Sequence, residues 1–240
     1  MDKDGPDKQL SLPLFAKKAK RADELQSRDR TKGHFSTPDD YHYFGEMENG
    51  LPNGIGTLTL GDSQRYSGEV VAGIPHGKGT LTIDCRARLT GEFVDGEINY
   101  GTLISSDRDE YIGELRGFMP NGHGTATYSD GSQLVGEFKD GEGHGQIART
   151  DVNGQKFVGH YKDGEISGQG TMWFSDGEKL VGYWQDGELH GQCTYFFPNG
   201  RKMICEYKEG VLHGDCTIVK SDGDKWVVPT RDGELFWESR

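Results

Sequence analysis

Residues Phe157 to Gly177 read Phe-Val-Gly-His-Tyr-Lys-Asp-Gly-Glu-Ile-Ser-Gly-Gln-Gly-Thr-Met-Trp-Phe-Ser-Asp-Gly. This segment contains two short strand-like runs, and each run ends in Asp-Gly, at residues 163–164 and 176–177. Asp-Gly between alternating apolar positions predicts a β-hairpin, because a type I′ turn requires positive φ at both central residues. The segment is therefore predicted to form one two-stranded hairpin together with the turn that leads to the next.

The same unit recurs along the chain at a regular interval. We take Gly159 as the reference position of its copy; the equivalent positions are Gly45, Gly68, Gly91, Gly113, Gly136, Gly182, Cys205 and Val228. Every interval equals that from Gly159 to Gly182, except that from Gly91 to Gly113, which is shorter by one position. Such fixed spacing predicts a repeat architecture. The residue missing between Gly96 and Gly101 predicts a tighter or bulged turn in the third copy.

Large side chains flank the reference position in nearly every copy. Residues two apart in a strand share a face, so Phe157, Gly159 and Tyr161 place large, small and large side chains on one side. The glycine is expected to leave space for neighbouring rings. Five residues after the reference position comes a turn glycine, replaced by Phe118 in the fourth copy, and the second strand opens with Gly-x-Gly and a threonine.

The pattern Tyr-x-Gly-Glu-x-x-x-Gly-x-x-x-Gly-x-Gly, at residues 43–56 and 66–79, resembles the MORN (membrane occupation and recognition nexus) repeat. The resemblance covers residues 41–225 as eight copies, and residues 226–240 as a degenerate ninth copy and C-terminal cap. It implies an all-β fold, a single-layer antiparallel ribbon or solenoid of β-hairpins. Cysteine departs from the pattern at three glycine positions, namely Cys193, Cys205 and Cys216, and Val228 replaces a fourth.

Residues 1–40 precede the repeats and are predicted to be a tail that is partly disordered, with a short helix over 14–30 as an alternative. This segment holds a basic cluster of Lys17, Lys18, Lys20 and Arg21 beside several apolar residues. One interpretation is a basic amphipathic anchor for an anionic membrane or an acidic partner. The other is a solvated tail, or a helix that caps the first hairpin.

Charge and composition exclude several classes of function. The formal net charge of −12 argues against nucleic acid as a partner. From residue 41 onward the chain has 18 basic and 31 acidic residues, which also opposes an anionic membrane surface. The sequence contains no apolar run of about 18 residues and no signal-peptide pattern, so we expect a cytoplasmic protein, with association with the cytoskeleton or a membrane as further alternatives.

The four cysteines are not expected to form a disulfide framework. Cys193 and Cys216 occupy the same position in adjacent copies, which places them ~10 Å apart, whereas a disulfide tolerates a Cα separation of up to about 7 Å. Reduced thiols that fill glycine-sized spaces are the expectation.

Two columns of polar residues invite a chemical interpretation. Glutamate follows the reference position in six copies, interrupted by His160 and Tyr183, and this column predicts either a solvated charged stripe or a groove for a basic peptide or a cation. His76, His144, His190 and His213 share another column. Residues ~10 Å apart cannot converge on one metal ion, so we expect no metal. The chain also lacks a phosphate-binding loop and a nucleophile elbow, so neither cofactors nor catalytic residues are predicted.

Copies five to eight are rich in aromatic residues, and a single-layer ribbon cannot bury rings on both sides. Exposed rings mark interfaces. The candidate partner-binding residues are Trp173, Phe174, Tyr183, Trp184, Tyr195 and Phe196. The alternative is that neighbouring side chains or the N-terminal segment cover these rings.

The resemblance implies a non-catalytic scaffold that binds protein partners at a cytoskeletal or membrane-apposed structure, sometimes with self-association through the ribbon edges. Direct phospholipid binding through the basic N-terminal cluster is one alternative. The other is a regulatory relative of the SET-domain methyltransferases or plant phosphatidylinositol phosphate kinases that contain MORN repeats, since no room is left for either catalytic domain.

Overall fold

The computed structural model describes residues 31–236, except 38, 39, 62 and 85, and these residues form β-strands and turns only. The expected helix over 14–30 and the basic cluster around Lys17 lie outside the described residues. Among the residues that the structure describes, there is no helix that could span a membrane. The chain divides into two compact units, residues 1–124 and 125–240.

The first unit is a run of antiparallel strands, each paired with its neighbours in sequence. Its strands are β1 (Thr31–Ser36), β2 (Tyr41–Glu48), β3 (Leu51–Leu60), β4 (Gln64–Val71), β5 (Ile74–Ile83), β6 (Ala87–Val94), β7 (Glu97–Ser105) and β8 (Glu110–Arg116). The next strand, β9 (Met119–Thr127), contains the point at which the chain passes into the second unit.

The second unit has the same antiparallel arrangement. Its strands are β10 (Gln133–Lys139), β11 (Glu142–Thr150), β12 (Lys156–Lys162), β13 (Glu165–Trp173), β14 (Lys179–Gln185), β15 (Glu188–Leu189), β16 (Gly191–Phe196), β17 (Lys202–Lys208), β18 (Val211–Val219) and β19 (Lys225–Val228). After Pro229, the short strands β20 (Thr230–Arg231) and β21 (Glu234–Leu235) form a separate two-stranded sheet.

The turns within the hairpins have the backbone conformation that the sequence predicts. Both central residues have positive φ at 49–50, 72–73, 95–96, 117–118, 140–141, 163–164, 186–187, 209–210 and 232–233. The interpretation of residues 176–177 as a second turn of this kind is wrong. Gly177 alone has positive φ there, and a longer loop closes through a hydrogen bond from the Phe174 N–H to the Glu178 carbonyl, 2.9 Å.

In six hairpins, two or three residues of the second strand lie opposite a single residue of the first, which forms a bulge at or next to the reference position. In the first copy, residues 53–55 lie opposite the single residue Glu46, between the facing pairs Gly45–Gly56 and Met47–Pro52. In the third copy only residues 99–100 lie opposite Glu92. The residue lost from the third copy is therefore lost from the bulge, and the strand pairs on both sides keep their register.

One face of each unit carries the packed side chains, and facing glycines make room for the rings. A Cβ at Gly56 would overlap the Tyr43 ring, and a Cβ at Gly170 would overlap the Phe157 ring. These rings contact the next copy: Phe157 packs edge-to-face on Trp184, with ring centroids 5.2 Å apart. The large–small–large pattern therefore builds the core by stacking copies.

Strand β1 lies in the segment that was expected to be part of the tail. It pairs with β2 from Thr31 opposite Met47 to Ser36 opposite His42. Gly33 faces the reference glycine Gly45, as Gly56 faces Gly68 in the next hairpin. Gly33 precedes Gly56 by one full repeat interval, so the repeat begins with half a copy.

The expectation of reduced cysteines is wrong for one pair. Cys205 and Cys216 form a disulfide with a Cα separation of 4.5 Å. Cys205 and Cys216 lie on adjacent strands, in the positions that facing glycines occupy in other copies. The expectation was based on Cys193 and Cys216, which lie two strands apart. Cys193 is a buried free thiol opposite Cys205, and burial raises the pKa of the Cys193 thiol to about 11.

Candidate protein-interaction face

The face opposite the packed side chains carries a continuous row of aliphatic and threonine residues in the second unit. Each member is the register partner of the next, from β10 to β19. We call this set the aliphatic row: Val135, Ala148, Val158, Thr171, Val181, Thr194, Ile204, Thr217 and Val227. Four of its valines are exposed, with Val227 60% accessible to solvent. We call this side of the second unit the outer face.

A second row on the outer face alternates lysine with large apolar residues. Lys156 lies opposite Trp173, Trp173 opposite Lys179, and Lys179 opposite Phe196. The Lys179 Nζ atom is 4.4 Å from the centre of the Phe196 ring, within the range of a cation–π interaction. The lysine row consists of Lys156, Lys179, Lys202 and Lys225, which recur at the interval of the repeat. Sequence reasoning missed this row, although its spacing was visible.

Between the aliphatic row and the bulges, the outer face has an open depression of about 450 Å³, which we call the bulge groove. The backbone of Gly159, Gly170 and Gly182 lines it, and Tyr183 contributes an aromatic side chain. Other lining residues are Gln146, Val158, Gln169, Thr171, Val181, Gln192 and Thr194. The groove is therefore lined by neutral residues, and the aliphatic row lies between it and the lysine row.

The glutamate column has a structural role in the first unit. The carboxylate of Glu46 accepts a hydrogen bond from the backbone N–H of Ile55 in the bulge, at 3.1 Å. Glu69 accepts from Lys78 N–H at 3.2 Å, and Glu114 from His123 N–H at 3.1 Å. These carboxylates therefore satisfy backbone donors that the bulge removes from the strand ladder.

Tyrosine hydroxyls complete the same bulges from the packed side. The hydroxyls of Tyr43 and Tyr66 each donate a hydrogen bond at 2.7 Å, to the carbonyls of Glu46 and Glu69 respectively. The Tyr111 hydroxyl donates a hydrogen bond to the Glu114 carbonyl at 2.9 Å. Burial, followed by the neighbouring glutamate charge, raises the pKa of Tyr66 and of Tyr111 to about 12.

The predicted partner-binding aromatics fall into three groups. Trp173 and Tyr183 are 40% and 47% exposed on the outer face. Phe174, Tyr195 and Phe196 are half-buried. Trp184 is only 4% exposed, because it packs against Phe157, so its prediction as a surface residue is corrected.

Two histidines of the His column lie beside the aspartate of the following turn. The Nδ1 atom of His76 is 3.9 Å from Asp95, and that of His144 is 3.6 Å from Asp163. Among the residues that the structure describes, no group of three His, Cys, Asp or Glu side chains is placed to hold a metal ion.

The MORN repeat profile matches five segments of the chain: residues 43–65, 66–83, 111–133, 157–179 and 181–200. The chain is a MORN repeat protein. The tyrosine, glutamate and glycines of the MORN motif are those that build the bulges and the packed face. The lysine row and the bulge groove are additional to the motif.

No curated protein matches this MORN protein in sequence. Solved structures with similarity include the TCP10 domain of Danio rerio CPAP in complex with a STIL peptide (13% identity, 88% of this chain and 99% of that chain, TM-score 0.37). The G-box domain of CPAP is similar at 12% identity over 83% of this chain and 100% of that chain, with a TM-score of 0.45.

Proposed function

We propose that this MORN repeat protein is a non-catalytic protein-interaction module whose partner binds the outer face of the second unit. The observation that carries the proposal is the exposure of Trp173 and Tyr183 beside the aliphatic row. Large rings next to exposed aliphatic side chains are typical of the energetically important centre of an interface.

The remaining motif residues support a scaffold rather than an enzyme. Glu46, Glu69 and Glu114 bind backbone N–H groups of their own hairpins, and the tyrosine hydroxyls bind backbone carbonyls. These groups are committed to the fold and are not free for general acid–base chemistry. We propose that the module tethers or organises a larger assembly, at a cytoskeletal or membrane-apposed structure.

Affinity capture with the full chain tests this function. The test variant is Trp173→Ala/Tyr183→Ala, and the matched control is Phe44→Ala/Tyr100→Ala, which removes two rings that are 65% and 60% exposed in the first unit. We expect a set of proteins that the wild type and the control retain and the test variant loses. Equal recovery by all three chains would contradict the proposal. A differently tagged copy of the chain among the retained proteins would indicate self-association.

A further inference from the structure

We infer that the bulge groove and the lysine row bind a polypeptide segment in the polyproline II conformation whose Asp or Glu side chains recur at every third residue. This inference rests on the proposed function and names the class of partner. It follows from a difference between the copies, from the charge of the outer face and from the spacing of the repeat.

The first step is that the bulges of three copies bind a carboxylate. In the first, second and fourth copies, the backbone N–H of the residue before the second glycine donates to a glutamate oxygen at 3.1–3.2 Å. A hydrogen bond from a backbone N–H to an ionised carboxylate is among the stronger hydrogen bonds in proteins. The protein supplies this carboxylate from its own chain in those copies.

The second step is that two adjacent copies lack the carboxylate. His160 and Tyr183 occupy the glutamate position in copies six and seven. The bulge of copy six has the same register as the bulge of copy one, so the N–H of Gln169 corresponds to that of Ile55. The His160 ring contacts the Gln146 amide instead, at 2.7 Å. The bulge groove lies over these two copies.

The third step is the charge beside the groove. The whole chain has a net charge of −12, yet Lys156 and Lys179 lie on the outer face, two residues along the strand from Val158 and Val181, which line the groove. Glu137 and Glu206 occupy the glutamate position in the copies on either side of copies six and seven. The lysines make this part of the outer face positive where copies six and seven lack the glutamate. A partner that carries carboxylates and lies across these two copies is therefore complementary in charge.

The fourth step is the spacing. Successive copies are two strands apart, or ~9.6 Å, because neighbouring strands are separated by ~4.8 Å. A polyproline II segment has three residues per turn and rises ~3.1 Å per residue, so its every third side chain points the same way and advances by ~9.3 Å. A segment that runs across the strands can therefore place one carboxylate per copy, while its intervening residues contact the aliphatic row.

Fluorescence anisotropy with the full chain tests the inference. The probe is a labelled peptide of about twelve residues with glutamate at every third position and proline and threonine between them, which favours the polyproline II conformation. The first control peptide has glutamine in place of each glutamate. The second has the same composition with all the glutamates placed together. We expect the spaced glutamate peptide to bind at least about tenfold more tightly than either control.

Two variants locate the binding site. His160→Glu restores in copy six the glutamate of the other copies and keeps the Tyr183 ring, and we expect it to weaken binding at least about tenfold while it preserves the fold. Lys156→Gln/Lys179→Gln should weaken binding and reduce its dependence on salt. The matched control is Arg65→Gln/Arg88→Gln, which changes the same column in the first unit and should leave binding unchanged. Circular dichroism confirms that each variant is folded.

Unchanged binding by the restored-glutamate variant, or equal binding of the glutamine peptide, would overturn the inference. So would binding that depends on composition but not on spacing. If the peptide does not bind but Trp173→Ala/Tyr183→Ala still loses captured proteins, the proposed function stands and this partner class is wrong. If neither the peptide nor any captured protein depends on the outer face, both proposals fail.

Discussion

Tyr66 shows how a single motif residue stabilises a hairpin. Its side chain is fully buried, its ring packs against Phe93 of the next copy, and its hydroxyl donates to the Glu69 carbonyl at 2.7 Å. The ring packs two copies together, and the hydroxyl supplies a hydrogen-bond donor to a backbone carbonyl in the bulge. Tyrosine at this position therefore does more than the large apolar residue that the sequence pattern requires.

Replacement of Tyr66 by phenylalanine should separate these two contributions. At pH 8 we expect the free energy of unfolding to fall by about 1–2 kcal/mol, because the part-buried hydrogen bonds from the Tyr66 hydroxyl to the Glu69 and His76 carbonyls are lost. Denaturation in urea measures the change. Tyr100→Phe, at a residue that is 60% exposed, is the control and should have little effect.

The same variant makes a prediction about pH. Burial raises the pKa of Tyr66 in the folded protein to about 12, above the ordinary value of 10. The unfolded chain therefore loses this proton first, so the stabilisation by Tyr66 is complete below pH 10 and declines as pH rises towards 12. The difference in stability between wild type and Tyr66→Phe should shrink between pH 8 and pH 11. A difference that is constant or grows would contradict the assignment.

At the scale of the hairpin, the turns follow directly from local sequence. Positive φ at two successive residues is demanded by the type I′ geometry, and Asp-Gly or Asn-Gly satisfies it at most turns. The Asp-Gly at 176–177 was misread, because the dipeptide alone does not reveal how many residues the loop contains. The disulfide was missed for a related reason: Cys205 and Cys216 face each other only once the strand register is known.

Ala72 is an exception among the turn residues and predicts a stabilising substitution. It has a φ of 49°, a conformation that alanine adopts at a cost but that asparagine tolerates. We expect Ala72→Asn to raise the free energy of unfolding by about 0.5–1 kcal/mol, observed as a higher urea midpoint. The reverse change at an equivalent turn, Asp186→Ala (φ 50° at Asp186), should lower it by a similar amount. If both variants shift the midpoint in the same direction, backbone strain is not the cause.

At the scale of the whole molecule, the sequence predicted the all-β repeat architecture because each contact recurs once in every copy. It predicted less of the candidate site. Trp173 and Tyr183 were identified as surface rings, but the bulge groove is formed by residues on facing strands, which a count along one column does not bring together. The half-copy at Gly33 was missed because it has no turn glycine of its own to mark it.

The pattern of contacts predicts that the effects of a cross-link are local. In the second unit, extensive contacts between strands join neighbours along the chain, and in such repeats each hairpin is stabilised mainly by the hairpins beside it.

The variant Cys205→Gly/Cys216→Gly restores the facing glycines of the other copies and removes the disulfide. Its free energy of unfolding should fall by up to about 3 kcal/mol, because a disulfide that closes a short loop usually stabilises a protein by about that amount. Hydrogen exchange should become faster in β16–β18 and remain unchanged in β10–β12. Cys193→Ser is the control for loss of a buried sulfur without loss of the cross-link. Uniformly faster exchange from β10 to β18 would show that the second unit opens as one block and that stability is not built copy by copy.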